Sequence, residues 1–448
     1  MSKGQYIPGP HTFNLSAFID NAVAVGDVYW PFSSMYPRAD ERVHITQRIF
    51  LTEFYPVLCA FYVLAVLVQL PDTRKIRLAI LVPMAALAWR AATKYEYAPS
   101  MPVEDGYNIY SFAICWFLSF IMLRAADFAT SERVFQRIEF STLPPNAPHN
   151  PVAKFRAVVL DAFDLTFNAR GIGWNWGKNI YIPPKTTGDG SHKAKSALDH
   201  FVSFVKIQFF FDFLLFGQQS WTLSLSEYLT HPAGGTIFDP TLPPLFRYGK
   251  VAAMTFLCGL GLCCSFQATY DAVAYICIVL LGQKPEQWPP LFQEPWRAES
   301  LADFWGVRWH QVFKRAFVVC GAKPASKIFG RAGGLLGAFF VSGIMHDFGV
   351  WGAGLGTDPA AITLFFMMMG VGCMLEVIWQ QKTGMKVGGV MGRVWALAWT
   401  VFWGSLIVDA WARRGLVISK MSPDAARPAL YWAKVVQKWM SLHGTPFS

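Results

Sequence analysis

The chain has 448 residues, of which 53 % are hydrophobic, 16 % aromatic and only 15 % charged. Soluble domains carry about 25 % charged residues, and here the apolar residues are bunched into runs, so a large soluble core is disfavoured against a membrane bundle. The formal net charge of +10 falls at the ends of those runs (Arg74, Lys75 and Arg77 before one, Arg413 and Arg414 after another); that argues against a nucleic-acid partner and for a positive-inside bias beside a lipid bilayer.

In chain order, Met1 to Asn14 holds Pro8, Pro10 and several polar groups and lacks the charged start and apolar centre of a cleavable signal peptide. The first hydrophobic segment is therefore expected to serve as an uncleaved anchor. A spanning helix needs roughly 20 apolar residues. Candidate spans run over Phe54–Leu70, Ile76–Trp89, Tyr107–Leu123, Phe201–Gly217, Val251–Leu281, Ala332–Val350, Ala361–Trp379 and Val394–Trp411. The second is short and holds Pro83; the fifth is long enough to tilt strongly. The pattern predicts an all-α, polytopic transmembrane helical bundle of about seven to nine spans, because backbone groups in lipid must pair within their own segment.

Two polar stretches interrupt the spans. Phe140–His200, rich in Pro, Gly and charge, and Gly282–Cys320, with four tryptophans, are expected as long loops, the second re-entrant or interfacial. Seven of the eight cysteines lie within apolar runs and Cys320 at the edge of another. None has zinc-ligand spacing or the ladder of a disulfide scaffold, so buried thiols and no metal are expected.

Among residues able to carry chemistry, His346 stands deep in GAFFVSGIMHDFGVWGAG. An ionisable group at membrane depth is costly and usually faces a bundle interior or a water-filled cavity. A neutral imidazole can take a proton from a hydroxyl near neutral pH; the plainer reading is a histidine hydrogen-bonded between helices. Asp347 points about 100° away from it and reads as a cap or helix contact. Glu376, in the next span, could orient His346, line an acceptor tunnel or pair with an interfacial cation. In the segment from Asp303 to His310, Arg308 offers a donor fork and His310 a hydrogen-bond donor near a membrane surface, although composition alone favours an interfacial helix. RGIGWNWGKN, from Arg170 to Asn179, reads as a headgroup-level anchor in preference to a contact with an anionic cofactor that would use Lys178. No GxSxG, HExxH, Walker, DDxxD or DHHC sequence is present.

SLADFWGVRWHQVFKRAF together with SGIMHDFG resembles the wax-synthase branch of the membrane-bound O-acyltransferases: Ser300, Leu301, Phe304, Trp305, Gly306, Arg308, Trp309 and His310 match its polar motif, and His346 follows at the branch's spacing. RGIGWNW is similar to a block of fungal members, many from secondary-metabolite pathways. The resemblance implies acyl transfer from acyl-CoA to a hydroxyl, with His346 in the catalytic position and His310 as the second active-site residue. Trp305, Arg308, Trp309 and Lys178 are expected to contact that co-substrate, with no permanently bound cofactor. The placement of the two motifs further predicts an internal tunnel, with His346 on its wall, the Trp305–His310 segment on its cytosolic side and the two imidazoles within about 10 Å of each other.

The expected organisation is an N-terminal transmembrane region over 1–130, a cytosolic or interfacial loop region over 131–200, a wax-synthase-like catalytic membrane domain over 201–420 and a tail over 421–448. The expected setting is the endoplasmic reticulum, and the expected reaction is acetylation of a terpenoid or meroterpenoid hydroxyl. Long-chain-alcohol acylation is the alternative. A membrane cyclase, or a transporter using His346 as a proton relay, stands further off, since paired broken helices in inverted repeats are not evident.

Overall fold

Helices dominate because each apolar run must satisfy its own backbone in lipid. The computed structural model describes residues 42–97, 108–142, 150–177, 194–222, 235–352, 356–417, 419 and 424–442. Among them, eight helices are long and apolar enough to cross a membrane: α1 (Gln47–Leu67), α2 (Arg74–Lys94), α3 (Asn108–Thr130), α5 (Ala197–Thr222), α6 (Pro244–Leu281), α7 (Lys314–Gly352), α8 (Pro359–Thr383) and α9 (Gly389–Arg413). Each corresponds to one apolar run of the sequence, including the run with Pro83, which lies inside α2. A two-residue parallel pairing of Val43–His44 with Tyr95–Glu96 is the only sheet among the described residues.

Two further helices stand where loop and tail were expected. α4 (Pro151–Phe167) occupies the middle of the Phe140–His200 stretch, and α10 (Pro428–Leu442) lies in the C-terminal segment. The start of α4 is written in its sequence: the Asn150 side chain accepts from the backbone N–H of Val152 and Ala153, and proline holds the first helical position. Both helices are amphipathic, which a reading keyed to long apolar runs passes over.

The basic residues flanking the spans are not all turned to headgroups. Buried Arg77 donates to the backbone carbonyls of Phe128 and Ser131, at the last turn of α3, where a helix leaves its carbonyls unpaired. Arg413 and Arg414 reach Asp358 at the start of α8, and Arg413 also pairs with Asp409. Part of the charge pattern is thus internal helix capping.

A reversal lies just before the sixth apolar run. α7 breaks at Phe329 (φ −119°, ψ 15°) and Gly330 (φ 65°, ψ −159°), and the two arms fold back on each other. A Cβ on Gly321 would lie 2.2 Å from the Gly337 carbonyl oxygen, and one on Gly337 would lie 2.6 Å from the Ala325 Cβ. The seam is closed by absent side chains, as helix pairs in lipid commonly are. Gly321→Val is accordingly expected to lower the thermal unfolding midpoint in detergent, an overpacking cost of at least about 1–3 kcal/mol. Gly259→Ala in α6, with nothing within 4 Å of the new Cβ, should leave that midpoint unchanged or raise it.

Candidate active site

His346 sits on the second arm of α7, about fourteen residues beyond Ala332 and so roughly 20 Å along the helix. Its Nδ1 lies 2.7 Å from the Ser342 carbonyl oxygen, one turn earlier. A carbonyl only accepts, so Nδ1 carries the proton and Nε2 the lone pair. The ring is held between Phe366 of α8 (centroids 4.5 Å apart) and Trp116 of α3 (6.1 Å), yet it keeps partial exposure. Gly343 permits this enclosure: a Cβ there would come within 2.9 Å of the Thr363 Cα on α8.

The loop from Gly282 to Phe313 folds against the bundle. Ser300 caps a single helical turn, Leu301–Asp303, by accepting from the Asp303 N–H, and a π-turn follows over Phe304–Arg308. Local widening of this kind often marks functional positions, because it re-aims the next side chains. Trp309 stacks on Phe304 (5.2 Å), and His310 contacts Phe266 (4.7 Å), Phe313 (4.9 Å) and Phe292 (5.6 Å). Phe313 in turn meets Trp116 at 4.8 Å, so both imidazoles border one aromatic cluster. Burial, aided by the nearby His346, lowers the His310 pKa to about 3, which keeps the imidazole neutral at working pH. Its Nδ1, like the Nε1 of Trp305, is buried without a protein partner.

Glu376 has a role the sequence did not suggest. Its carboxylate accepts from the backbone N–H of Leu301 (2.6 Å) and Ala302 (3.0 Å) and from Trp395 Nε1 (2.9 Å). Those two amides are the free donors at the start of the motif's helical turn, so a carboxylate inside α8 fastens the motif to the bundle. Asp347 accepts from the Asp358 N–H (2.9 Å) at the start of α8, the helix contact that was one of its two expected roles. Arg308 turns to its own segment, donating to Asp303 (2.6 Å) and to the Gln293 carbonyl (3.3 Å). Lys178 lies outside the described residues.

RGIGWNW is not a headgroup-level anchor. Trp174 is 1 % exposed and donates to Asp164, while Trp176 packs against the guanidiniums of Arg124 and Arg315. Arg170 donates to the carbonyls of Pro289 and Pro290 and to the Tyr270 hydroxyl. Gly171 takes φ +69°, and a Cβ on Gly177 would fall 2.0 Å from the Gly171 carbonyl oxygen. The block is a buried knot bracing the first residues of the motif loop, which composition cannot tell from an aromatic belt.

The sequence profile of the family described as "Membrane bound O-acyl transferase family" matches residues 288–368, a stretch that contains both histidines. The chain is similar to Acetyltransferase spyB of Aspergillus fumigatus, 36 % identical over 20 % of this chain and 17 % of that one. It is also 25 % identical to Acetyltransferase ple2 of Rhodocybe pseudopiperita, over 53 % of this chain and 62 % of the relative. A plant relative, the Long-chain-alcohol O-fatty-acyltransferase of Simmondsia chinensis, is 31 % identical over 22 % of this chain and 30 % of its own. The matched stretches thus span less than two thirds of each relative's length. The resemblance drawn from the two motifs holds, to fungal acetyltransferases and plant wax-type enzymes alike.

Glu376→Ala leaves three donors without their acceptor, of which the buried Leu301 N–H alone costs about 1–3 kcal/mol. The expected result is a protein that melts several degrees lower in detergent or fails to accumulate in membranes, with Glu376→Gln intermediate. Unchanged melting of the alanine variant would mean the motif is held by other contacts.

Proposed function

We propose that this chain, which carries a segment matching the membrane-bound O-acyltransferases, transfers an acyl group from acyl-CoA to the hydroxyl of a hydrophobic acceptor. The observation that carries the reading is the tautomer of His346: with Nδ1–H given to Ser342, Nε2 is left as a proton acceptor beside an aromatic cluster shared with His310.

The chemistry follows in balanced steps. Nε2 takes the proton of the acceptor hydroxyl as its oxygen attacks the thioester carbonyl carbon. The tetrahedral oxyanion then collapses, the C–S bond breaks, and the imidazolium returns its proton to the leaving thiolate. Trp305 Nε1 and neutral His310 are the oxyanion donors in this scheme. A buried donor without a partner costs about 1–3 kcal/mol, and the developing oxygen removes that cost where charge forms. Attack is direct, so no acyl-enzyme is required. Ser342 is 4 % exposed and gives its carbonyl to His346, consistent with a supporting place.

The acyl group in this reading is acetyl and the acceptor a terpenoid or meroterpenoid alcohol. Support comes from the fungal-type RGIGWNW block and from relatives named acetyltransferases. Transfer to a long-chain alcohol is the alternative supported by the plant relatives. A tunnel admitting acyl-CoA from the cytosol and the alcohol from lipid, in the endoplasmic reticulum membrane, completes the proposal. Arg308 and Lys178 are assigned to its cytosolic mouth.

Microsomes containing the protein should release free thiol from acetyl-CoA only when an acceptor alcohol is supplied; release independent of alcohol would refute transfer. His346→Ala should lower turnover by about 10²–10⁴ while the protein still inserts and folds, and near-normal turnover in a folded variant would remove His346 from catalysis. Lys178→Ala should raise KM for acyl-CoA more than KM for the alcohol, most clearly at low salt. Arg308→Ala, which also frees Asp303, should in addition lower the melting temperature.

A further inference from the structure

A second buried histidine lies outside the His310–His346 cluster. His200 of α5 is 1 % exposed, and its Nδ1 donates to Asp271 of α6 across 2.6 Å. Asp271 is 0 % exposed and saturated: Ser203 (2.7 Å) and Gln267 (3.0 Å) donate to its other oxygen, and the Lys195 ammonium stands 3.8 Å away. The carboxylate therefore fixes the His200 ring, while the other ring nitrogen, Nε2, is buried with no partner at all. A fixed ring with one unmet polar atom is an expensive arrangement in a protein interior.

His200 and Asp271 line a cavity of about 270 Å³ whose remaining wall includes Tyr270, Glu286, Trp288, Pro289, Pro290 and Phe292. Arg170 and Tyr270 hold the proline carbonyls of that wall. Phe292 closes it on one side, and its other neighbours are the rings of Trp309 (5.3 Å) and His310 (5.6 Å). The cavity is thus the next compartment to the candidate active site.

Size, charge and chemistry narrow the occupant. The volume falls just below the roughly 300 Å³ at which sites for whole small ligands begin, so it suits a slender portion of a larger molecule. Asp271 and Glu286 outnumber Lys195 in the wall, which disfavours a phosphate. The apolar, proline-rich wall, backed by a histidine nitrogen buried without a partner, suits an amide, which offers both an N–H and a carbonyl and so meets the imidazole in either protonation state.

We infer that this cavity holds the amide-bearing pantetheine arm of acyl-CoA, with His200 hydrogen-bonded to the arm amide farther from the sulfur and Phe292 separating the arm from the thioester at His310. The inference rests on the acyl-transfer reading above and adds the residues that recognise the donor's arm.

The test compares three donors: acetyl-CoA, S-acetylpantetheine, which keeps the arm without the nucleotide, and S-acetyl-N-acetylcysteamine, which keeps only the amide next to the sulfur. His200→Ala should raise KM for the first two about 10-fold, the effect of about one lost hydrogen bond. The variant should leave kcat and the truncated donor unmoved, and His200→Gln should recover part of the loss. A rise that is equal for all three donors, or absent, overturns the assignment, as does a rise for acetyl-CoA alone, which would place the nucleotide in the cavity. If the alanine variant does not fold, the wild type carries the test: pantetheine should inhibit competitively against acetyl-CoA where N-acetylcysteamine does not, and no inhibition by pantetheine overturns the assignment. A wild type inactive with every donor and acceptor would overturn the acyl-transfer reading, and this inference with it. An active wild type whose His200 variant keeps its KM values overturns the cavity assignment alone.

Discussion

A carboxylate at membrane depth decides where the reactive loop can go. The backbone of Ser300–Arg308 enters the bundle as one helical turn and a π-turn, and its first amides have no partner within the turn. In a medium without water such donors must be met by protein. Glu376 meets Leu301, Ala302 and the Trp395 indole at once, so its charge is spread over three donors and its burial becomes tolerable. The aromatic cage of the site has a fixed floor because this one group is saturated.

The same economy recurs wherever the molecule buries charge. Asp127 binds Arg315 through both oxygens and Arg124 through one, and both guanidiniums pack on the Trp176 ring, 4.7 and 4.9 Å from its centroid. Asp164 gathers the Trp174 indole, Asn168, Gln283 and Gln287. These knots sit on either side of the RGIGWNW block and tie it to α3, α4, α7 and the start of the motif loop. Catalytic geometry in such a protein depends on polar groups far from the reacting atoms, since removing one partner strands the rest.

The spans were legible because apolar run length is a direct consequence of bilayer thickness. His346 was legible because an ionisable group in such a run is costly enough to need a reason. Glu376 was visible for the same reason, but not its role, since its partners are backbone amides 74 and 75 positions away and amides carry no signal in residue identity. α4 escaped because its apolar residues follow a helical period within a polar stretch. The reversal at Phe329–Gly330 escaped because its first arm, from Lys314 to Phe329, carries four cations and overlaps the polar loop, so only the second arm reads as a span. Arg308 reads as a donor fork in isolation; only the fold shows that its Nε pairs with Asp303 and its Nη1 with the Gln293 carbonyl.

The reversal in α7 also explains why the two histidine motifs lie at the separation they do. The arms run antiparallel away from Gly330; His310 precedes that residue by 20 positions and His346 follows it by 16. The chain goes out and returns by nearly the same distance, so the hairpin acts as a caliper whose jaws are the two imidazoles. One residue added to either arm would slide the far end by about 1.5 Å and turn it by about 100°, swinging His346 off the Phe366 face while leaving composition and hydropathy untouched. The interval between the motifs is therefore a calibrated length, and homologous hairpins should tolerate exchange of side chains along it far better than a change in their number.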